Sequence, residues 1–339
     1  LTVQVLIQRV SYGALALALL ITLFVVDAEV GKRLSGMDGM LAALFERGSV
    51  VPLLSALIFL QGARELNHFY VLRGVRPYAG YAYVMVVVVF FTPWLSAAGW
   101  LGEGVAQLEG AQTMLLVMLL AAGGVWVASV IKQDTADCLR NSSATLQIIF
   151  YLGFLGSFGL QIRCGRDAPV EAGAWLMLYV LLVTKASDIG AFFAGSMFGR
   201  RKLWPGVSPG KTIEGTIGGI LTSAGVAALL LYGGNTLVQR QLADPAHMYK
   251  VDIGIRSLVR FLSQTSFLSP TVAVGLLGVV LSIAGQMGDL VESCFKRDAG
   301  VKDSGQLIPR FGGILDLVDS PLAAMPVAWI VFSVVCPML

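Results

Sequence analysis

Residues 79–101 read AGYAYVMVVVVFFTPWLSAAGWL, an apolar run without an acidic or basic side chain. A helix crosses the hydrocarbon core of a bilayer with about 20 mostly apolar residues. In lipid, every backbone N–H and C=O must also be paired within the protein, which leaves helices and closed barrels as spanning structures. Runs of similar character recur at 10–27, 48–66, 112–131, 144–162, 172–199, 213–233, 270–290 and 320–338. Of 339 residues, 56% are hydrophobic and 13% charged, with a mean hydropathy of +0.77; a soluble domain carries about 25% charged residues. The expectation is an all-α, polytopic transmembrane helical bundle with about nine spanning helices. It forms one membrane domain, in which 1–165 supplies scaffold helices and 166–339 carries the charged motifs. The run after Arg9 has no clear small-residue cleavage site and reads as a retained helix.

Composition excludes several classes. The net charge of +3 is small and scattered, with no basic patch or motif for nucleic acid. Cys138, Cys164, Cys294 and Cys336 lie far apart and form no CxxC pair, which argues against a disulfide framework or a thiolate metal site. His68 and His247 are the only histidines, so a histidine-rich metal centre is excluded, and neither lies near the charged motifs.

Lysine and arginine accumulate in cytoplasmic loops. With the N-terminus inside, the connections place 14 of these residues inside and 9 outside, Lys185 lying within a span. The bias favours a cytoplasmic N-terminus and an external C-terminus, and it puts the loops 200–212 and 291–319 on one face. In the connection 234–269, Val251, Ile255, Leu258, Val259 and Leu262 share a helical face opposite Asp252, Arg256 and Arg260. That spacing fits a helix lying in the interface or one packed on the bundle.

The densest charge lies in Gly285–Ser320, GQMGDLVESCFKRDAGVKDSGQLIPRFGGILDLVDS. Asp289, Glu292, Ser293 and Lys296 follow i, i+3, i+4, i+7 spacing and share a helical face. Asp316 and Asp319, three apart, share another. Carboxylates from two elements can converge on a hard cation, most simply Mg²⁺. Lys296, Arg297 and Lys302 remain for phosphate oxygens. Both signs of charge beside a bilayer point to phosphoryl-type chemistry at a membrane surface.

Two further segments carry polar groups. In VSPGKTIEG, Val207–Gly215, the GKT lacks the earlier glycine of a P-loop, because Pro205 stands there. Ser208 is expected to cap a helix with Pro209 in its first position, so that Gly210, Lys211 and Thr212 offer free N–H groups to an anion. In TKASDIGAFF, Thr184–Phe193, Lys185 and Asp188 can pair at i, i+3 inside an apolar segment. A lone charge there would cost about 2.5–3.5 kcal/mol. The pair is structural, or it faces a polar cavity inside the bundle; the long segment that holds it is a tilted helix or a broken one.

At these residues the chain resembles the phosphatidate cytidylyltransferases, or CDP-diacylglycerol synthases. That family's signature runs S-x-x-K-R, K-D-S-G and P-G-H-G-G-x-x-D-R-x-D-S. This chain has Ser293, Lys296 and Arg297; Lys302, Asp303, Ser304 and Gly305; and Pro309, Gly312, Gly313, Asp316, Asp319 and Ser320. SDIGAFFAGSMFGRRKLWPGVSPGKTIEGTIGG at 187–219 and GDLVES at 288–293 are also similar to the family. The likeness is strong over 184–320 and weaker before it, where ARELNHFY at 63–70 stands out. Arg310-Phe311 replaces the family's Gly-His and Leu317 its second arginine, so no role for that histidine or that arginine is carried over.

The resemblance implies a helical membrane enzyme of the bacterial inner-membrane type, a homodimer in lipid whose contacts lie in the N-terminal helices. Its active site would face the cytoplasm, and its reaction would be CTP + phosphatidate → CDP-diacylglycerol + pyrophosphate in phospholipid biosynthesis. It implies Mg²⁺ on Asp289 and Asp316 with Asp319 close by, and K⁺ as a possible second cation. With Lys296 these aspartates form the expected catalytic set. Lys185, Asp188, Ser208, Lys211, Thr212, Glu214, Ser293, Arg297, Lys302 and Asp303 are the expected substrate-binding set. Three rival readings stand beside it: a transporter that uses Asp188 and Lys185 as an intramembrane relay, a weakly active scaffold, and cytidylyl transfer to a polyprenyl phosphate.

Overall fold

The structure, a computed structural model, describes residues 3–34, 48–101, 110–164, 170–242, 270–305 and 312–335. Among these, nine long helices and one short hairpin follow in order: α1 (Val3–Leu34), α2 (Val50–Leu72), α3 (Ala79–Ala97), α4 (Gly110–Ile131), α5 (Cys138–Arg163), α6 (Val170–Phe198), β1 (Lys202–Trp204), β2 (Ser208–Thr212), α7 (Ile213–Leu242), α8 (Pro270–Asp298) and α9 (Leu315–Val335). Helices α3 to α9 are long and apolar enough to cross a membrane. Seven of the nine expected spans therefore meet that measure among the described residues. Helix α2 carries Arg64, Glu65, Asn67 and His68 in its second half, which lowers its apolar content.

Several segments outgrow their apolar runs. Helix α8 continues to Asp298, carrying Lys296 and Arg297 in its last turn, where cations complement the helix dipole. Helix α9 begins at Leu315, earlier than its apolar run, with Asp316 in its first turn, where an acid is favoured for the same reason. Helix α6 is continuous through Lys185 and Asp188, which settles the choice between an unbroken and a broken segment. Helix α5 contains a π-helical turn at Ile149–Phe154. The amphipathic stretch 251–262 and Arg310-Phe311 lie outside the described residues.

Large apolar side chains stand exposed on the outer face of α4, among them Leu115, Leu119, Leu120, Val127 and Val130. A face of this kind belongs in lipid. The interior holds two main groups. One joins α1, α6, α8 and α9 around Phe24, Val180, Leu281 and Phe332; the other joins α2, α3, α5 and α9 around Leu66, Val86, Leu152 and Leu315.

At one end of the bundle, Asp27 of α1 and Arg163 of α5 form a fully buried ion pair at 2.9 Å. The Asp27 carboxylate also accepts the N–H groups of Val50 and Val51 at 2.8 and 3.1 Å, which caps the start of α2. At the other end, α2, α6 and α8 finish, α7 and α9 begin, and the β1–β2 hairpin folds over them. The charged motifs meet there.

Candidate active site

The hairpin corrects the expected anion-binding helix start. Ser208–Thr212 is a strand, paired antiparallel with Lys202–Trp204 in the register Lys202↔Thr212 and Trp204↔Ser208, with an irregularity between them. Pro209 has no N–H to donate, which a two-stranded edge tolerates. The helix cap is therefore Thr212 and not Ser208: its Oγ1 accepts the Gly215 N–H at 3.1 Å. Glu214 accepts the Arg200 and Arg201 N–H groups at 3.0 and 3.2 Å and so fixes the entry to the hairpin.

With that geometry Lys211 projects across the end of the bundle to α8. Its Nζ lies 2.8 Å from Asp289 Oδ2 and donates to the Gln286 carbonyl at 3.2 Å. Arg297 Nε donates to the Val207 carbonyl at 3.4 Å, closing the same contact from the α8 side. The two basic loops thus share one end of the molecule, as the charge pattern requires.

The i, i+3, i+4, i+7 face of α8 points into this junction. Glu292 is fully buried, and Ser293 and Lys296 are nearly so. Lys296 Nζ is paired with Glu292 Oε2 and lies 2.5 Å from Asp316 Oδ1. Glu292 Oε1 has no hydrogen-bond partner among the described residues. Ser293 Oγ reaches Asp289 Oδ1 at 3.5 Å.

The first turn of α9 completes the arrangement. Asp316 accepts the N–H groups of Ser304 and Gly313, each at 2.9 Å, and the Ser304 hydroxyl at 2.8 Å. Buried Asp319 accepts the Ser320 N–H at 2.6 Å. Helices α8 and α9 approach so closely that a β-carbon on Gly288 would overlap the Asp319 carbonyl. Glycine is needed there to bring Asp289 and Asp319 together.

Asp289, Glu292 and Asp319 each offer a carboxylate oxygen within 4.8 Å of the others. Such a set of hard oxygen donors suits a divalent cation, and the unpartnered Glu292 oxygen is a buried acceptor without a proton donor. Asp316, expected beside Asp289, is not among these three; its Oδ1 accepts from Lys296 and its Oδ2 from the Ser304 and Gly313 N–H groups and the Ser304 hydroxyl. Glu292 was legible only as a member of the α8 face; nothing local distinguished it from Asp316 as a neighbour of Asp289 and Asp319.

The Lys185–Asp188 pair of α6, at 3.0 Å, joins the same cluster through Ser320, whose hydroxyl donates to Asp188 Oδ1 at 3.1 Å. Below it Ser187 and Ser282 lie 2.6 Å apart, and Gln286 Nε2 donates to Ser282 Oγ at 3.0 Å, a polar ladder that lines the space between α6 and α8. Among the expected residues, Ser208 and Thr212 shape the hairpin, Arg297 brackets it, and Lys302 and Asp303 are exposed on the turn that presents Ser304.

One residue from the N-terminal half, within the ARELNHFY stretch, joins the site although no role was expected of it. Glu65 of α2, buried, accepts the N–H groups of Ile314 and Leu315 at 2.9 Å each, and its Oε2, 3.0 Å from Ser304 Oγ, shares that hydroxyl's single proton with Asp316. It caps α9 from another helix. A β-carbon on Gly313 would overlap Ser304 Oγ and Glu65 Oε2, which accounts for that glycine.

Known proteins bear on this geometry. The model of the cytidylyltransferase family matches residues 33–335. A phosphatidate cytidylyltransferase of Haemophilus influenzae is 34% identical over 244 residues, 70% of this chain and 75% of that protein. Phosphatidate cytidylyltransferases of Staphylococcus aureus and Bacillus subtilis are 32% and 34% identical, over 66% of this chain and 77% and 67% of theirs. The chain belongs to the cytidylyltransferase family.

Proposed function

We propose that this membrane protein transfers CMP from CTP to phosphatidate, forming CDP-diacylglycerol and releasing pyrophosphate. The observation that carries the reading is the convergence of Asp289, Glu292 and Asp319 with Lys185, Lys211 and Lys296 at one end of the bundle. Family membership and the identities to phosphatidate cytidylyltransferases support the choice of substrates.

The nucleophile is a phosphate oxygen of the lipid. A phosphate monoester has its second pKa near about 6 and is largely ionised at neutral pH, so no strong general base is required. That oxygen attacks the α-phosphorus of CTP; a new P–O bond forms as the bond to the β-phosphate oxygen breaks, and pyrophosphate leaves with the electron pair. The obstacle is repulsion between two polyanions.

Lys211 and Lys296 now neutralise carboxylates, and substrate phosphates compete for the same ammonium groups. Asp289, Glu292 and Asp319 would hold Mg²⁺, with Asp316 positioning Lys296 beside it; K⁺ would be a second cation. Bound there, a divalent ion supplies charge neutralisation for the phosphates and the leaving group. Arg297 and Lys302, at the exposed rim, receive the incoming nucleotide. The diacyl chains enter laterally between helices. The loop charge bias supports a cytoplasmic site with the N-terminus inside and the C-terminus outside. A homodimer follows from the family resemblance.

The test is to incubate detergent-purified protein with labelled CTP, Mg²⁺ and either phosphatidate or a polyprenyl phosphate. Label is expected in the phosphatidate product and lost on chelation. Label in the polyprenyl product alone would overturn the choice of lipid, and turnover in excess chelator would overturn the metal.

A further inference from the structure

The π turn of α5 puts an unused hydroxyl at this site. A π turn accommodates an extra residue in the helix and re-aims the side chains it carries, often at functional positions. Here it spans Ile149–Phe154; Phe150 faces outward, while Tyr151 is 6% exposed. The Tyr151 ring packs edge-on against Phe295 of α8, with centroids 5.4 Å apart. Its hydroxyl is buried and has no hydrogen-bond partner among the described residues. Phe295 stands on α8 three residues after Glu292, so the ring contact sets Tyr151 beside the stretch of α8 that carries Asp289 and Glu292 of the proposed metal group.

A buried hydroxyl with no partner carries a desolvation cost that phenylalanine, of nearly the same shape, would not. Helix α5 therefore presents an unsatisfied donor where α8 presents an unsatisfied acceptor, Glu292 Oε1. A divalent cation carrying a phosphate oxygen would satisfy both groups at once, the carboxylate by the cation and the phenol by the oxygen. We infer that Tyr151 is a substrate-binding residue whose hydroxyl donates a hydrogen bond to a phosphate oxygen held over Asp289, Glu292 and Asp319. It enters from the part of the chain that lies outside the charged motifs. The assignment rests on the metal reading above. The phosphate belongs to the nucleotide or to the lipid, and kinetics with each substrate distinguish them.

The experiment is Tyr151→Phe in the full-length protein, which deletes the hydroxyl and keeps the ring against Phe295. The expected result is a fall of about tenfold or more in kcat/KM, as for loss of one donor to a charged oxygen. A raised KM for CTP identifies the nucleotide phosphate, and a raised KM for phosphatidate the lipid phosphate. The melting temperature of the free protein should be unchanged or higher, and the increase given by Mg²⁺ with CTP, or with phosphatidate, should shrink. Unchanged kinetic constants and an unchanged ligand-induced shift would overturn the assignment. So would a loss of turnover matched by a lowered melting temperature, which would make Tyr151 a packing residue. Glu292→Gln separates this inference from the metal reading: should it keep the Mg²⁺ dependence of the unaltered protein while Tyr151→Phe shows the expected losses, the hydrogen bond from Tyr151 to a phosphate stands and the placing of that phosphate over Glu292 falls.

Discussion

Glu65 and Leu315 stand 250 positions apart and are joined by one hydrogen bond, 2.9 Å from the Leu315 N–H to the Glu65 carboxylate. With the bonds from Ile314 and Ser304, it makes a helix of the N-terminal half the cap of the helix that bears Asp316 and Asp319. Glu65→Ala strands the buried N–H donors of Ile314 and Leu315, each costing about 1–3 kcal/mol, while the Ser304 hydroxyl keeps Asp316 as its acceptor. A clearly lowered melting temperature in detergent is expected, together with reduced turnover in the protein that remains folded. Glu65→Gln keeps an acceptor oxygen and should fall between the two. Full stability of Glu65→Ala would remove the cap from the account.

Lys211 bridges the hairpin to Asp289 and is available to a phosphate once that carboxylate finds another partner. Lys211→Ala should raise KM for CTP or lower kcat by about tenfold, the scale of one charge-assisted contact. The pair is partly exposed, so the melting temperature should hardly change. Initial rates across CTP concentrations decide the matter; values equal to those of the unaltered protein would move the hairpin out of the site.

Asp316→Asn retains an oxygen for the Gly313 and Ser304 N–H groups but removes the charge that holds Lys296. The protein should stay folded and lose Mg²⁺-dependent formation of the CDP-lipid. Thermal unfolding and a radiolabelled product assay on one preparation check both halves. Retained turnover would show that Lys296 needs no help from Asp316.

Arg163 and Asp27 lie far from the chemistry. Breaking a buried pair from one side leaves an uncompensated charge and costs about 3–5 kcal/mol. Arg163→Met should therefore destabilise strongly, while Arg163→Met combined with Asp27→Asn should recover part of the loss. The surviving folded protein should keep its KM for both substrates. A shifted KM would mean that the two ends of the bundle communicate.

Part of this architecture is legible in the residue order alone. Hydropathy is a local property, summed over neighbouring residues, and it marked out the nine helices and left 285–320 as the charged exception. Helical periodicity likewise put Asp289, Glu292, Ser293 and Lys296 on one face. Local rules failed at Ser208–Thr212, where capping preferences imply a helix start. Pairing with Lys202–Trp204 across a turn overrode them and moved the cap to Thr212.

The membership of the site was of another kind. No periodicity within α8 or α9 distinguishes Glu292 from Asp316 as a partner of Asp289. The distinction arises because α8 and α9 touch at Gly288 and because Ser304, Gly313 and Lys296 already engage Asp316. Glu65 lies in the ARELNHFY stretch that stands out in the sequence, but nothing there gives it a role, and Tyr151 carries no neighbouring signal; the residues they meet lie more than a hundred positions away. Residue order sets which segments enter the membrane, because burial in lipid depends on composition. Which polar groups then meet depends on how the helices pack, and distant side chains come within hydrogen-bonding reach only once that packing is complete.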